Sequence, residues 1–98
     1  MAWKIRRVNN EAGTSVVAPQ TYPDAETAFR AAMSNVVSYI TNHWDSGTGA
    51  GDQGPGNNHR FKIYIDRRTG QARVVLRYDH PSGTDAETND IVWQVANL

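Results

Sequence analysis

Six basic residues crowd one short stretch of the chain: Arg60, Lys62, Arg67, Arg68, Arg73 and Arg77, against Asp66 alone between positions 59 and 78. Their chemistry is the recognition of anions. A guanidinium offers a planar fork of donors that matches a carboxylate or a phosphate, and an ammonium adds a mobile point charge. The spacing gives them a common side. In a strand, alternate residues point to opposite faces, so Arg60, Lys62 and Tyr64 share one face of a strand over 60–66. Arg73 and Arg77 share a face of its return partner over 71–78, and Arg67 and Arg68 sit at the tip between them. A basic sheet face with one aromatic has the physics of a single-strand binder, with phosphates on Arg and bases on Tyr. It equally suits an acidic patch on another protein. The bland alternative is a solvated outer face, for which Arg in a strand serves well.

Other arrangements carry less. Gly49-Ala50-Gly51-Asp52-Gln53-Gly54 spells GxGxxG, but it follows a helix and runs into Pro55, so no helix N-terminus is on hand for a pyrophosphate. His43, His59 and His80 are the only histidines. They would gather around a metal only if three separate chain segments met at one edge, and none shows a zinc-ligand spacing. Asp24 and Glu26 are two apart at a helix start and do not face each other. Asp79, His80 and Ser82 are too close in sequence to form a triad. The expectation is therefore a protein that is not an enzyme and holds no cofactor or metal.

Charge and composition narrow the class further. Residues 1–8 carry three basic residues and no acid, and residues 79–98 carry four acids and no base. Ten basic and ten acidic residues leave a formal net charge of zero, so the basic stretch is a local feature and not a whole-molecule field. A hydrophobic fraction of 39% is too high for a disordered chain. With no cysteine, disulfides, thiolate chemistry and iron–sulfur ligation are excluded. No segment approaches 18 consecutive apolar residues and no signal peptide is legible, so no membrane contact and a cytoplasmic location are expected.

These residues need elements to hold them. Trp3–Val8 reads as a strand with Trp3, Ile5 and Arg7 on one side. Asn9, Asn10 and Gly13 form a turn, and Thr14–Ala18 is a short β-branched run fit to return as a hairpin partner. The helix is the clearest element. Thr21-Tyr22-Pro23-Asp24 supplies a start signal with Thr21 as N-cap. Ala25, Ala28, Phe29, Ala32, Met33, Val36, Val37 and Ile40 then recur at steps of three and four. Residues 45–58 are rich in glycine and read as a flexible loop. The strands over 60–66 and 71–78 follow, joined at Gly70. Residues 80–89 read as loop, and 90–96 as a last strand with Ile91, Trp93 and Val95 inward. Trp93 and Trp3 are expected in the core with Trp44 at its margin. The alternative sets Trp44 with Tyr39 or Tyr22 as an exposed anchor.

The expected fold is a single α+β domain of 98 residues, with one helix across a four- or five-stranded, mainly antiparallel sheet in the order β(β)αβββ. So small a core makes a homodimer plausible. In its brevity, its lack of cysteine and its plan, the chain resembles small phage or mobile-element proteins that act by binding. That resemblance implies a protein-binding domain, an inhibitor or accessory protein, whose basic face of Arg60, Lys62, Tyr64, Arg67, Arg68, Arg73 and Arg77 meets an acidic protein. The alternative function is nucleic-acid binding through the same hairpin.

Overall fold

A computed structural model describes residues 2–44, 58–79 and 86–98, with backbone alone at 43, 44, 58–60, 77–79 and 86–88. Five strands and one helix follow in chain order: β1 (Trp3–Asn9), β2 (Thr14–Val17), α1 (Ala25–Trp44), β3 (Asn58–Asp66), β4 (Gln71–Asp79) and β5 (Ala86–Asn97). The strands form one antiparallel sheet in the order β2-β1-β5-β4-β3. This is the expected α+β plan. Both hairpins bend at the glycines singled out by sequence, Gly13 and Gly70, each with φ near 68°. Gly70 has a second reason to lack a side chain: a Cβ there would lie 3.2 Å from Cβ of Val95. Thr14–Val17 joins the sheet beside β1, with Arg7 opposite Val16. The β1–β2 turn is held by Asn9, whose side-chain oxygen accepts the N–H groups of Glu11 and Ala12, an Asx-turn that substitutes a side chain for a backbone partner.

The helix starts on a different cap from the one expected. The Asp24 carboxylate accepts the Thr27 N–H at 2.7 Å and helix begins at Ala25, so Asp24 and not Thr21 fills the N-cap. The reason lies in the neighbouring segment. The Tyr22 N–H donates to the Trp3 carbonyl at 2.8 Å, which holds this stretch against β1 for one more residue before the chain turns into the helix. Ala28 and Ala32 are fully buried beside Phe29, Val36 and Tyr39. The small alanines let the helix lie close over β1, β5 and β4. Val37 was expected on this face and is instead 61% exposed; at about 100° per residue it falls well round from Ala32 and Val36.

The core lies between the helix and the sheet. Ile5, Ala72, Val74, Leu76, Ile91 and Trp93 rise from three adjacent strands into the helical face. Leu76 and Ile91 are almost wholly buried, and burying such a side chain contributes roughly 1.5–3 kcal/mol. Trp93 is in the core as expected, whereas Trp3, also expected there, is only half-buried and lies outside it. Tyr39 is also buried, so it forms no exposed anchor; the Trp44 side chain lies outside the described residues. Two strand starts differ from the sequence reading by two residues or more. Strand β5 begins at Ala86, inside the expected loop, because 86–89 pair with 76–79 of β4. Strand β3 begins at Asn58, paired with Asp79. The rest of the glycine-rich segment, residues 45–57, and residues 80–85 lie outside the described residues.

Candidate binding face

Antiparallel register decides which side chains share the uncovered face. Lys62 stands opposite Val75, Tyr64 opposite Arg73, and Arg60 opposite Arg77. Arg73 in turn stands opposite Val92, and Val75 opposite Asp90. Across β5, Arg6 pairs with Gln94 and Lys4 with Ala96. Residues 60, 62, 64, 73 and 77 thus share the face turned away from the helix, as their alternation predicts. The register adds two cations that the sequence reading left out, Lys4 and Arg6. Strand β1 was legible, but its place next to β5 on the same sheet depends on pairing between distant segments, for which the sequence holds no local signal.

The charges on this face are not equivalent. The Arg73 guanidinium makes a bidentate contact with Asp90: Nε donates to Oδ1 at 2.8 Å and Nη2 donates to Oδ2 at 2.6 Å. The Arg73 hydrogen bond is the main reason the Asp90 carboxyl titrates below its usual range, with burial acting against it. The guanidinium carbon also sits 5.4 Å from the centre of the Tyr64 ring, within range of a cation–π contact. Arg73 therefore spends its fork inside the molecule and organises Tyr64. At the hairpin tip, Arg67 donates through Nη2 to Glu26 of the helix. That contact holds the Glu26 carboxyl below its usual range and ties the tip to the start of α1. Asp66 is a turn-builder: Oδ1 accepts the N–H groups of Arg68 and Thr69. Thr69, by its side chain and its backbone, is the main cause of the lowered Asp66 pKa.

Five cations remain without a carboxylate partner among the described residues: Lys4, Arg6 and Lys62 on this face, Arg68 at the hairpin tip, and Arg7 on the helix side. Lys62 and Arg68 are exposed, Lys4 and Arg6 half-buried, and Tyr64 is 51% exposed. Arg60 and Arg77 are placed on this face by register, opposite one another. No element covers this face among the described residues, and an open hollow lined by Arg6, Val8 and Gln94 lies on it.

The helix side holds a different feature. A groove of about 530 Å³ runs between α1 and the β1–β2 hairpin, lined among others by Arg7, Val16, Ser38, Asn42, Tyr39 and Trp93. Tyr39 meets Trp93 edge to face at 5.6 Å. The Arg7 guanidinium lies 5.9 Å from the Tyr39 ring centre and 5.8 Å from that of Trp93. Burial pushes the Tyr39 phenol above its usual pKa, and the nearby Arg7 charge opposes that shift. Sequence placed Arg7 on the side of Trp3 and Ile5, but only tertiary packing brings it onto two rings.

Among the described residues, no group of three or more His, Asp or Glu is gathered closely enough to hold a metal ion. His80 lies outside those residues, as do the side chains of His43 and His59, so their convergence does too. No helix among the described residues is long and apolar enough to cross a membrane. No protein-family model, curated protein or solved structure matches the chain.

Proposed function

We propose that this is a small binding domain without catalytic activity, which docks the uncovered face of its sheet onto an acidic surface of another protein. The observation that carries the reading is the charge of that face. Lys4, Arg6 and Lys62 lack carboxylate partners among the described residues, register adds Arg60 and Arg77, and a half-exposed Tyr64 is held in their midst by Arg73. The hollows on this face are open, whereas small ligands are usually held in concave, enclosed sites. Tyr64 would serve as the amphipathic anchor of the contact, and the free cations would steer the encounter and fix its register. The action would be occlusion, as expected of an inhibitor or accessory protein.

Nucleic acid is the runner-up ligand for the same residues. The protein reading is preferred because one side of the Tyr64 ring already carries the Arg73 guanidinium, which leaves less of it for a base. Asp90 also stands on the face, where a phosphate backbone would meet it. The formal net charge of zero further departs from the excess positive charge usual in nucleic-acid modules.

Retrieval of the tagged protein from host lysate, at low and high salt and with and without nuclease, tests this reading. A stoichiometric protein that stays bound through nuclease treatment is expected. Nucleic acid alone, released steeply as salt rises, would replace the proposal with the runner-up.

A further inference from the structure

The sheet is wider than the helix that covers it. α1 packs on β5, β4 and β1, with β3 at one edge of the sheet and β2 at the other. Ile63 and Ile65 of β3 are left half-exposed on one flank, and Val16 of β2 is 67% exposed on the other. Val16 stands directly opposite Arg7 in register, and paired residues share a face, so Val16 lies on the helix side. The groove of about 530 Å³ is the gap between Val16 and Ala18 and the edge of α1 that carries Asn35, Ser38 and Asn42. Those three are three and four residues apart and so form one row along the helix. The hollows of the open face draw their lining from the sheet and its turn alone. This groove takes its lining from both layers, with Tyr39 and Trp93 as its floor. Its volume falls within the roughly 300–1,000 Å³ of small-ligand sites.

The charge of the groove is unbalanced. Arg7 is the one basic residue in its lining, and no Asp or Glu lines it. Arg7 has no carboxylate partner among the described residues. Glu11, on the β1–β2 turn, is the weakest of four influences on the Tyr39 phenol and makes no ion pair with Arg7. The guanidinium carbon is instead held 5.9 and 5.8 Å from the centres of the Tyr39 and Trp93 rings. A fork already ordered against two rings loses less freedom when a ligand meets it. The size of the charge selects the ligand. One guanidinium matches one carboxylate. A phosphate monoester brings about two negative charges at neutral pH. The groove also reaches Asn42, in the last turn of a helix that ends at Trp44, where the dipole is negative and opposes a second charge.

We propose that the groove between α1 and β2 binds a small organic monocarboxylate, with its carboxylate on the Arg7 guanidinium and a short apolar body along Val16 and Ala18. Asn35, Ser38 and Asn42 supply polar contacts from the helix wall. The site lies on the opposite side of the sheet from the basic face, so it is independent of what that face binds.

The test is titration of the isotope-labelled full chain with benzoate and with hexanoate, followed by amide and indole chemical shifts in nuclear magnetic resonance spectra. Saturable shifts are expected at Arg7, Val16, Ser38 and Trp93, with a Kd of about 1 mM. Benzamide, the neutral counterpart of benzoate, is expected to bind at least about tenfold more weakly, and phenyl phosphate no more tightly than benzoate. Variants at the strand pair separate the charge from the wall. Val16→Glu sets a carboxylate directly opposite Arg7 and is expected to block both ligands. Val16→Gln, of the same shape without the charge, is expected to bind within about threefold of the wild type. Arg7→Gln is expected to lose binding; should that variant fail to fold, Val16→Glu decides, since its site is exposed. Equal binding of benzamide and benzoate, or undiminished binding by Val16→Glu, would overturn the proposal. Shifts confined to Lys4, Arg6 and Lys62, tighter binding of phenyl phosphate, or no saturable shift with either carboxylate would also overturn it. If N-acetyl-leucyl-leucine binds by its terminal carboxylate while benzoate and hexanoate do not, the groove serves a peptide end and the proposal fails.

Discussion

Arg73 and Asp90 lock β4 to β5 across the open face through two parallel hydrogen bonds, 2.8 and 2.6 Å long. They are diagonal neighbours offset by two residues, since Arg73 is directly opposite Val92 and Asp90 opposite Val75. The long arginine reaches along the strand to its carboxylate, and its guanidinium covers the Tyr64 ring on the way. Val92 shows what lies beneath: it is only 8% exposed although it sits on the uncovered face, between Val8 and Arg73 in register. The pair is thus structural, each charge being met by the other.

Replacing either member should expose that role. Arg73→Ala and Asp90→Asn should each lower the melting temperature by up to about 5 °C, the range for a single surface-proximal pair in a domain this size. The double variant should fall by less than the sum of the two. Arg73→Lys should not restore the wild-type value, because an ammonium cannot make the bidentate contact. Thermal denaturation of the four proteins measures this coupling; strict additivity would mean that the pair contributes nothing jointly.

Acid stability should follow the carboxylates. Asp90, Asp66 and Asp24 titrate below the ordinary 3.8, and Glu26 below 4.5. A carboxyl whose folded pKa is depressed stabilises the fold at pH values above its unfolded pKa. That contribution is lost as pH falls through the folded value. The melting temperature should therefore hold from neutrality to about pH 5 and drop below pH 4. Asp90→Asn should start lower at pH 7 and lose less on acidification. Tyr39 works in the other direction. Its raised pKa keeps the phenol neutral in the fold, so stability should fall as the pH rises past 10, and Tyr39→Phe should lack that loss.

The helix start offers a contrast between two residues that sequence alone could not rank. Asp24→Ala removes the acceptor of the Thr27 N–H and should lower the melting temperature by a few degrees, about 3–6 °C. Thr21→Ala should leave it nearly unchanged. Equal effects from both would contradict the cap assignment.

The same logic separates core from flank. Leu76→Ala should cost about 2–5 kcal/mol by chemical denaturation, since the surroundings of a buried leucine close only in part. Val37→Ala, on the exposed flank of α1, should stay within about 0.5 kcal/mol. If both are equally costly, the helix covers more of β3 than the exposure of Ile63 and Ile65 allows.

Much of the fold was legible where the signal was local. Ala28, Ala32 and Val36 mark the helix face by their spacing. The alternation of Phe61, Ile63 and Ile65 with Lys62 and Tyr64, closed by Gly70, gives the β3–β4 hairpin. What could not be read were relations between distant segments. Nothing near Asp90 says that β5 lies between β1 and β4, and only that placement makes it the counter-ion of Arg73 and brings Lys4 and Arg6 onto the same face. Val37 fits the apolar pattern as well as Val36 does. Its exposure follows from how far the helix reaches over the sheet, and the four-step spacing that marks it apolar does not encode that reach. Arg7 looked like an ordinary strand residue until Tyr39 and Trp93 arrived beneath it from two other elements. The candidate face was thus visible as a cluster of basic residues, but which of them are free was not.

The most direct test of the binding face compares the wild type with an Arg6→Glu/Lys62→Glu variant in nuclease-treated retrieval from host lysate. Melting temperature and sedimentation mass are checked first on both proteins. Neither side chain has an ion-pair partner among the described residues, so the variant should fold as the wild type does. If the uncovered face is the docking surface, the variant should retain at most about a tenth of the protein held by the wild type, a loss of one decade in affinity. Undiminished retention by a folded variant of unchanged mass would place the binding site elsewhere on the molecule.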